Sequence, residues 1–152
     1  MRSAPSLRAN HPSLVLLVDD NLDGVVARRT VLQELGYTVM ASSSGTHALE
    51  IVKEHRFDLI ITDYRMPGMD GVALIAALRQ RGFDKPIILI SGLLTHLGLN
   101  ERTTGADLLV QKSANEIDNL VRGVKRLLNT PKKPAASQGK KAVTRKSKSA
   151  NS

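Results

Sequence analysis

Five short apolar runs alternate with five segments of helical periodicity between residues 14 and 129, and this alternation constrains the fold most. Short continuous apolar runs are typical of strands buried on both faces of a parallel sheet. Strict strand–helix alternation predicts one α/β domain, with helices on both faces of a five-stranded parallel sheet. The predicted strands are LVLLV (14–18), YTVMA (37–41), FDLIIT (57–62), PIILI (86–90) and ADLLVQ (106–111).

The segments between the strands carry the residues that begin and end helices. Gly36 follows the first segment as a C-cap, while Asp70 and Gly82 flank the third as N-cap and C-cap. Gly98 interrupts the fourth segment, which is the weakest helical pattern. The predicted helices cover 21–35, 45–55, 71–82, 94–105 and 114–129.

Two of these helices show an apolar stripe at helical spacing, which predicts the face that packs on the sheet. The last helix has the stronger pattern, with one stripe made of Ile117, Leu120, Val121, Val124, Leu127 and Leu128. The stripe of the first helix consists of Leu22, Val25, Val26, Arg29 and Leu32.

The net charge of +8 belongs to the chain ends. Residues 130–152 contain seven Lys and Arg residues and no acidic residue, and Arg2 and Arg8 lie in the first segment. That leaves thirteen basic residues against fourteen acidic ones over 14–129, which is close to neutral. The tail has too few large apolar residues to offset the entropy of ordering. We therefore expect a folded domain over 14–129, a short disordered extension over 1–13 and a basic disordered tail over 130–152.

Composition excludes several classes of site. The chain has no Cys, so disulfides, thiolate metal sites and cysteine nucleophiles are absent. Aromatic residues make up 3% of the chain, which argues against a stacking platform for nucleic-acid bases. No apolar run is long enough to span a membrane, and residues 1–13 lack the apolar core of a secretory signal. We expect a soluble, cytoplasmic protein without membrane insertion.

Polar side chains stand where four of the predicted strands end. Asp19 and Asp20 follow the first strand, Asp63 the third, Ser91 the fourth and Lys112 the fifth. The carboxyl ends of parallel strands meet at one edge of the sheet, and ligands bind there. Hydrophobic patterning explains none of these residues. We therefore expect a pocket with three carboxylates, one ammonium and one hydroxyl.

The charges of this pocket favour a hard divalent cation. Two like charges about 4 Å apart repel by roughly 4 kcal/mol at an effective dielectric constant near 20. Three carboxylates and one Lys leave a formal charge of −2, which one divalent ion cancels. Oxygen ligands without Cys or His favour Mg²⁺, which keeps open positions suited to phosphate chemistry.

The motifs at the strand ends resemble the receiver domain of two-component response regulators. They are Asp19-Asp20 after LVLLV, TDYRMPGMDG (62–71), ILISG (88–92) and Lys112 after DLLVQ. The resemblance covers about residues 14–129. It implies a flavodoxin-like (βα)5 fold, a doubly wound parallel sheet with strand order 2-1-3-4-5, and a Mg²⁺ cofactor.

The resemblance also implies roles for the site residues. Asp63 resembles the phosphoacceptor, which takes a phosphoryl group from a phosphohistidine. Asp19, Asp20, Asp63 and the backbone carbonyl of Arg65 match the metal ligands, with Asp19 acting through water. Lys112 and Ser91 match the residues that hold the phosphoryl oxygens.

Two positions depart from the family pattern. Family members usually have a Pro, preceded by a cis bond, where this chain has Ser113. A cis bond before a residue other than Pro costs about 2.5–4 kcal/mol, which favours a trans Lys112–Ser113 bond, although the sequence does not decide between cis and trans. The aromatic residue often found three positions before the lysine is replaced by Leu109.

Three classes of function compete at this point. The favoured interpretation is a stand-alone response regulator, phosphorylated by a sensor histidine kinase or phosphotransfer protein. It either signals to a separate protein or passes the phosphoryl group on in a phosphorelay, and the sequence does not separate these two. The alternative is a receiver-like scaffold whose tail over 130–152 contacts nucleic acid, with little phosphorylation. An enzyme such as an Asp-dependent phosphatase is disfavoured, because Arg65 stands where a general-acid carboxylate would be needed. We expect the domain to catalyse only its own phosphorylation and dephosphorylation.

Overall fold

The computed structural model describes residues 12–129, apart from the side chain of Thr95. The predicted tail over 130–152 and residues 1–11 of the predicted extension lie outside the described residues. Among the described residues, we find no helix with the length and hydropathy that a membrane crossing requires.

Five parallel strands form one sheet in the order β2-β1-β3-β4-β5, which confirms the predicted fold class and strand order. Consecutive residues of each strand project to opposite faces, and both faces are covered by helices. The registers align the strand ends, with Val18 opposite Ser42 and Thr62, and Ser91 opposite Gln111. The strands are β1 (Leu14–Val18), β2 (Thr38–Ser42), β3 (Leu59–Asp63), β4 (Ile87–Ser91) and β5 (Leu108–Gln111).

The helices follow the predicted order, with one correction. The single helix predicted over 94–105 is two short helices, because Gly98 takes a left-handed φ of +64° between them. Asn100 then begins the second one with a reciprocal cap to Thr103. The helices are α1 (Leu22–Glu34), α2 (Gly45–Glu54), α3 (Gly71–Gln80), α4 (Leu94–Leu97), α5 (Glu101–Thr104) and α6 (Glu116–Asn129).

The core consists of two aliphatic layers, one on each face of the sheet. On one face, Leu16, Ile60 and Leu89 pack with residues of α2 and α3. On the other face, Val15, Ile61 and Ile88 pack with residues of α1 and α6. The sheet is therefore buried on both sides, as its continuous apolar runs require.

The face of α1 that packs on the sheet differs from the predicted stripe. The buried residues are Val25, Arg28 and Leu32, whereas Leu22 is 73% exposed and Val26 is 54% exposed. The prediction that Leu22 and Val26 share the buried stripe is therefore wrong. Positions 25, 28 and 32 lie on one side of a helix at three- and four-residue spacing, so the buried stripe contains an arginine.

Gly71 lets the turn after β3 close tightly. Its N–H donates a 2.7 Å hydrogen bond to the carbonyl oxygen of Tyr64. A Cβ at Gly71 would press on the Asp63 carbonyl oxygen and come within 2.8 Å of a Leu89 methyl group. Backbone atoms cannot move aside as a flexible side chain can, so only glycine fits this turn.

We expect Gly71→Ala to lower the free energy of unfolding by about 1–3 kcal/mol, the usual cost of overpacking a tight site. Gly92→Ala is the matched control, because a Cβ there meets nothing closer than the Lys112 Cβ at 3.8 Å. Urea unfolding followed by circular dichroism measures both. Equal stability of the two variants would contradict the close approach at Gly71.

Candidate functional site

The predicted site residues converge at the carboxyl edge of the sheet. Asp63 ends β3 and is 5% exposed, and Asp19 directly after β1 is similarly buried. Asp20 is exposed at the rim. One carboxylate oxygen from each of these three residues lies within 4.8 Å of the others. The prediction that three carboxylates share one pocket is confirmed.

Lys112 reaches this pocket from the end of β5. Its ammonium lies 2.8 Å from Asp63 Oδ1, and its side chain is 39% exposed. The Lys112 N–H donates to the Ser91 carbonyl oxygen, which fixes the lysine backbone beside β4. Apart from this ion pair, Oδ1 has no hydrogen-bond donor within residues 12–129. Asp63 is thus a buried carboxylate with unused acceptor capacity.

Burial raises the pKa of the Asp63 carboxyl above its ordinary value of 3.8. Lys112 lowers this pKa, while the negative charge of Asp19 raises it further. The net direction is upward because loss of hydration outweighs the one ammonium. In the folded protein without a cation, the ionised form of Asp63 is therefore held at a cost.

Both oxygens of Asp19 are engaged by the chain itself. Oδ1 accepts a 2.9 Å hydrogen bond from the Asn21 N–H. Oδ2 accepts a 2.5 Å charged hydrogen bond from the Arg28 guanidinium. These contacts fit the expectation that Asp19 meets a cation through water, which remains a prediction.

Arg28 joins the site to the start of α6. Its NH1 group lies against Asp19, while its Nε donates to Glu116 Oε2 at 2.7 Å. Burial lowers the pKa of Arg28, but the hydrogen bonds to Glu116 and Asp19 outweigh burial and raise the pKa. The guanidinium therefore remains charged in a buried position between two carboxylates.

Sequence reasoning missed both Arg28 and Glu116. The available signal was the spacing of Val25, Arg28 and Leu32, which places a charged residue within the buried stripe of α1. A charged residue at such a position needs a partner, because Arg is almost never fully buried unpaired.

Ser91 lies at the end of a strand, as the sequence predicts, while the role of its hydroxyl in the pocket stays a prediction. Ser91 is buried at the end of β4, and its Oγ accepts a 2.9 Å hydrogen bond from the Leu93 N–H. This leaves the hydroxyl proton available for donation. The described chain has no cis peptide bond, so the Lys112–Ser113 bond, whose isomer the sequence did not decide, is trans. Leu109, the other departure, packs partly buried against the core on the α2 and α3 side.

The donor set fits Mg²⁺. Three oxygens from Asp19, Asp20 and Asp63 are close enough to surround one ion, and Asp63 Oδ1 lacks a directed donor. Hard oxygen ligands with an exposed side suit an ion that keeps several waters. Arg65 is exposed in the loop after β3, and the role of its backbone carbonyl as a ligand stays a prediction.

We expect Asp63→Asn to raise the free energy of unfolding at pH 7 without divalent cations, because the amide carries no charge that burial disfavours. The native state binds the Asp63 proton more tightly than the unfolded chain does, so this carboxyl lowers stability as the pH rises above 3.8. The gain should shrink as the pH falls toward that value.

Urea unfolding between pH 4 and pH 8 in EDTA measures this dependence. Asp84→Asn, at an exposed aspartate, is the matched control and should show little change at any pH. A gain from Asp63→Asn that grows on acidification would contradict the upward direction of the Asp63 pKa.

Comparison with known proteins agrees with this geometry. The family model of the response regulator receiver domain matches residues 15–125. The sensor histidine kinase GacS of Pseudomonas protegens is 37% identical over 93 residues, which are 58% of this chain and 10% of GacS. This chain therefore corresponds to a small part of that relative's length.

A solved structure of similar length is the response regulator TrrA from Thermotoga maritima. The TrrA complex with Mg²⁺-BeF has a TM-score of 0.67 and 32% identity, and the match covers 76% of this chain and 98% of TrrA. TrrA in complex with the histidine kinase ThkA has a TM-score of 0.68 and 33% identity, over the same shares of the two chains. With the family match, these likenesses show that the chain belongs to the response regulator receiver domain family of two-component signalling.

Proposed function

We propose that this receiver domain accepts a phosphoryl group on Asp63 from the phosphohistidine of a sensor histidine kinase or phosphotransfer protein. The observation that carries the proposal is the buried Asp63 carboxylate, paired with Lys112 and set within 4.8 Å of two further carboxylates. Phosphoryl transfer depends mainly on positioning and charge neutralisation. Asp63 supplies the nucleophile, and the groups around it supply positioning and charge.

In the transfer step, a carboxylate oxygen of Asp63 attacks the phosphorus atom. The bond from phosphorus to the donor imidazole nitrogen breaks, and its electron pair stays on the imidazole. Lys112, which is partly exposed at 2.8 Å from Asp63, pairs next with a phosphoryl oxygen. A Mg²⁺ held by Asp19, Asp20, Asp63 and the Arg65 carbonyl would neutralise charge on the phosphoryl oxygens. Later attack of water on phosphorus breaks the bond from phosphorus to the Asp63 oxygen, which releases inorganic phosphate and restores the Asp63 carboxylate.

Ser91 connects the proposed phosphorylation site to the surface of the domain. Its Oγ accepts a hydrogen bond from the N–H of Leu93, the residue before α4. When the hydroxyl turns toward a phosphoryl oxygen, this hydrogen bond changes, and the position of α4 changes with it. Leu97 on α4 is 48% exposed, and Gly98 follows it with a positive φ. We assign α4 and α5 as the surface that a separate protein reads, in a stand-alone regulator that shifts between two states.

The exposed residues of α1 fit a docking surface for the phosphoryl donor. Leu22 and Val26 are one helical turn apart and lie just after the exposed Asp20. Apolar side chains beside a reactive site are typical of the centre of a protein interface. The relative TrrA is known in complex with a histidine kinase, which supports a kinase or phosphotransfer protein as the partner.

We propose catalysis only of the domain's own phosphorylation and dephosphorylation. Two residues after Asp63, the exposed Arg65 offers no carboxylate to act as a general acid. The alternative scaffold that binds nucleic acid depends on residues 130–152, which lie outside the described residues. No observation on residues 12–129 favours that alternative.

Incubation with acetyl phosphate should give a single phosphoryl adduct on the wild type, seen by intact mass, only when Mg²⁺ is present. Asp63→Asn should remove the adduct, because an amide cannot form the acyl phosphate. Asp84→Asn is the control and should load as the wild type does. An adduct that persists in Asp63→Asn would place the phosphoryl group elsewhere and contradict the proposal.

Leu22→Ala combined with Val26→Ala should slow phosphotransfer from a kinase that loads the wild type, by about fivefold or more. A minority of interface residues, clustered near the centre, each cost more than about 1 kcal/mol when truncated, and we expect this exposed pair to be among them. Loading by acetyl phosphate should not change, because that donor needs no docking surface. Leu35→Ala is the matched control, since Leu35 is also exposed but follows the far end of α1. Equal transfer rates in all three proteins would remove α1 as the docking surface.

A further inference from the structure

We propose that Arg28 is a positioning residue that competes with a divalent cation for Asp19 and is itself held by Glu116 at the start of α6. The affinity of the site for the cation is then set in part by α6. This inference rests on the proposed function, because it concerns the same carboxylate pocket.

The first observation is that Arg28 is shared between two carboxylates on different parts of the fold. It lies 2.5 Å from Asp19 Oδ2 and 2.7 Å from Glu116 Oε2, and its side chain is 7% exposed. Arg28 is 88 residues from Glu116 in the chain. A planar guanidinium binds two carboxylates through separate N–H groups, which an ammonium cannot do as well. The arrangement therefore couples the metal side of the site directly to α6.

The second observation is that α1 is built to admit this ion pair. A Cβ on Gly24 would lie 2.8 Å from Asp19 Oδ2 and 3.0 Å from Arg28 NH1. Glycine within a helix is unfavourable by about 1 kcal/mol relative to alanine. Gly24 thus leaves space for the contact between Asp19 and Arg28 at a cost to the helix.

The third observation is the charge balance around the pocket. Arg28 and Glu116 together add no net charge to Asp19, Asp20, Asp63 and Lys112. They do place a fixed positive charge on one of the three carboxylates that a cation would use. A cation near Asp19 meets repulsion from Arg28, and this repulsion is smallest when Glu116 neutralises the guanidinium.

Arg28 also has space to respond when a cation approaches. An open cavity of about 220 Å³ adjoins the pair of Arg28 and Glu116. Its lining includes Gly24, Ala27, Ser113, Ala114 and Ile117. None of these lining residues belongs to the two layers of the core, so a movement of the guanidinium away from Asp19 into this space would leave the core packing unchanged.

Calorimetric titration of the full chain at fixed ionic strength tests the proposal by measuring the dissociation constant for Mg²⁺. We expect Arg28→Gln to tighten Mg²⁺ binding about tenfold, since the competing charge is lost while polar side-chain groups remain. Glu116→Gln should weaken binding severalfold, because Arg28 then bears its full charge toward Asp19. Arg28→Lys keeps the charge and should stay within about threefold of the wild type.

The opposite changes in Mg²⁺ affinity expected for Arg28→Gln and Glu116→Gln distinguish this role from a purely structural one. If Arg28 only holds the fold together, both Gln variants lower thermal stability and neither changes the Mg²⁺ affinity, which overturns the inference. Weaker Mg²⁺ binding by Arg28→Gln also overturns it. In both cases a wild type that binds Mg²⁺ and forms the Asp63 adduct leaves the proposed function intact. A wild type that binds no Mg²⁺ removes the metal from the proposed function and this inference with it.

A measurement on the wild type covers the case in which Arg28→Gln fails to fold. Saturating Mg²⁺ should change the hydrogen-exchange rates of the amides in the first turn of α6, at Glu116 to Asn119. The same amides in Glu116→Gln should not respond. Unchanged rates in the wild type on saturation with Mg²⁺ would remove the coupling to α6.

Discussion

The burial of the Asp63 carboxylate at the end of β3 is the constraint on which the rest of the site depends. A buried charge without compensation is costly, and here the compensation is one lysine at 2.8 Å, with like charges close by. The pocket therefore carries more negative than positive charge, and it favours any ligand that brings positive charge. The proposed roles of Asp63, as a metal ligand and as a nucleophile for a phosphoryl group, both depend on that imbalance.

The parallel sheet brings the charged residues of the pocket together. Because the strands run in one direction and their ends align, residues far apart in sequence meet at one edge. Asp19, Asp63 and Lys112 each stand at or directly after the end of a strand that is apolar on both faces. The core therefore fixes their backbones, while their side chains extend into the pocket at this edge.

The sequence predicts the strands and the site residues because both stand out against a simple pattern. A polar residue that ends an apolar run, such as Asp63 or Ser91, has no role in the core and so points to function. The orientation of α1 was not predictable in this way. Leu22 and Val26 have the spacing of a buried stripe, and their exposure depends on how α1 rotates to place Arg28 against Glu116. The spacing of Arg28 with Val25 and Leu32 indicates a buried charge, but it does not identify a partner 88 positions away.

Ser113, where the chain departs from the family pattern, is related to the contact between Arg28 and Glu116. The Ser113 hydroxyl accepts the Asn115 N–H, and its carbonyl accepts the Glu116 N–H, so this residue shapes the entry to α6. A proline has no hydroxyl to accept that hydrogen bond. The trans bond and the serine turn together set the backbone position from which Glu116 reaches Arg28. The serine in place of proline and the buried Arg28 thus belong to one local arrangement at the start of α6. In this arrangement the guanidinium that binds Asp19 also binds Glu116.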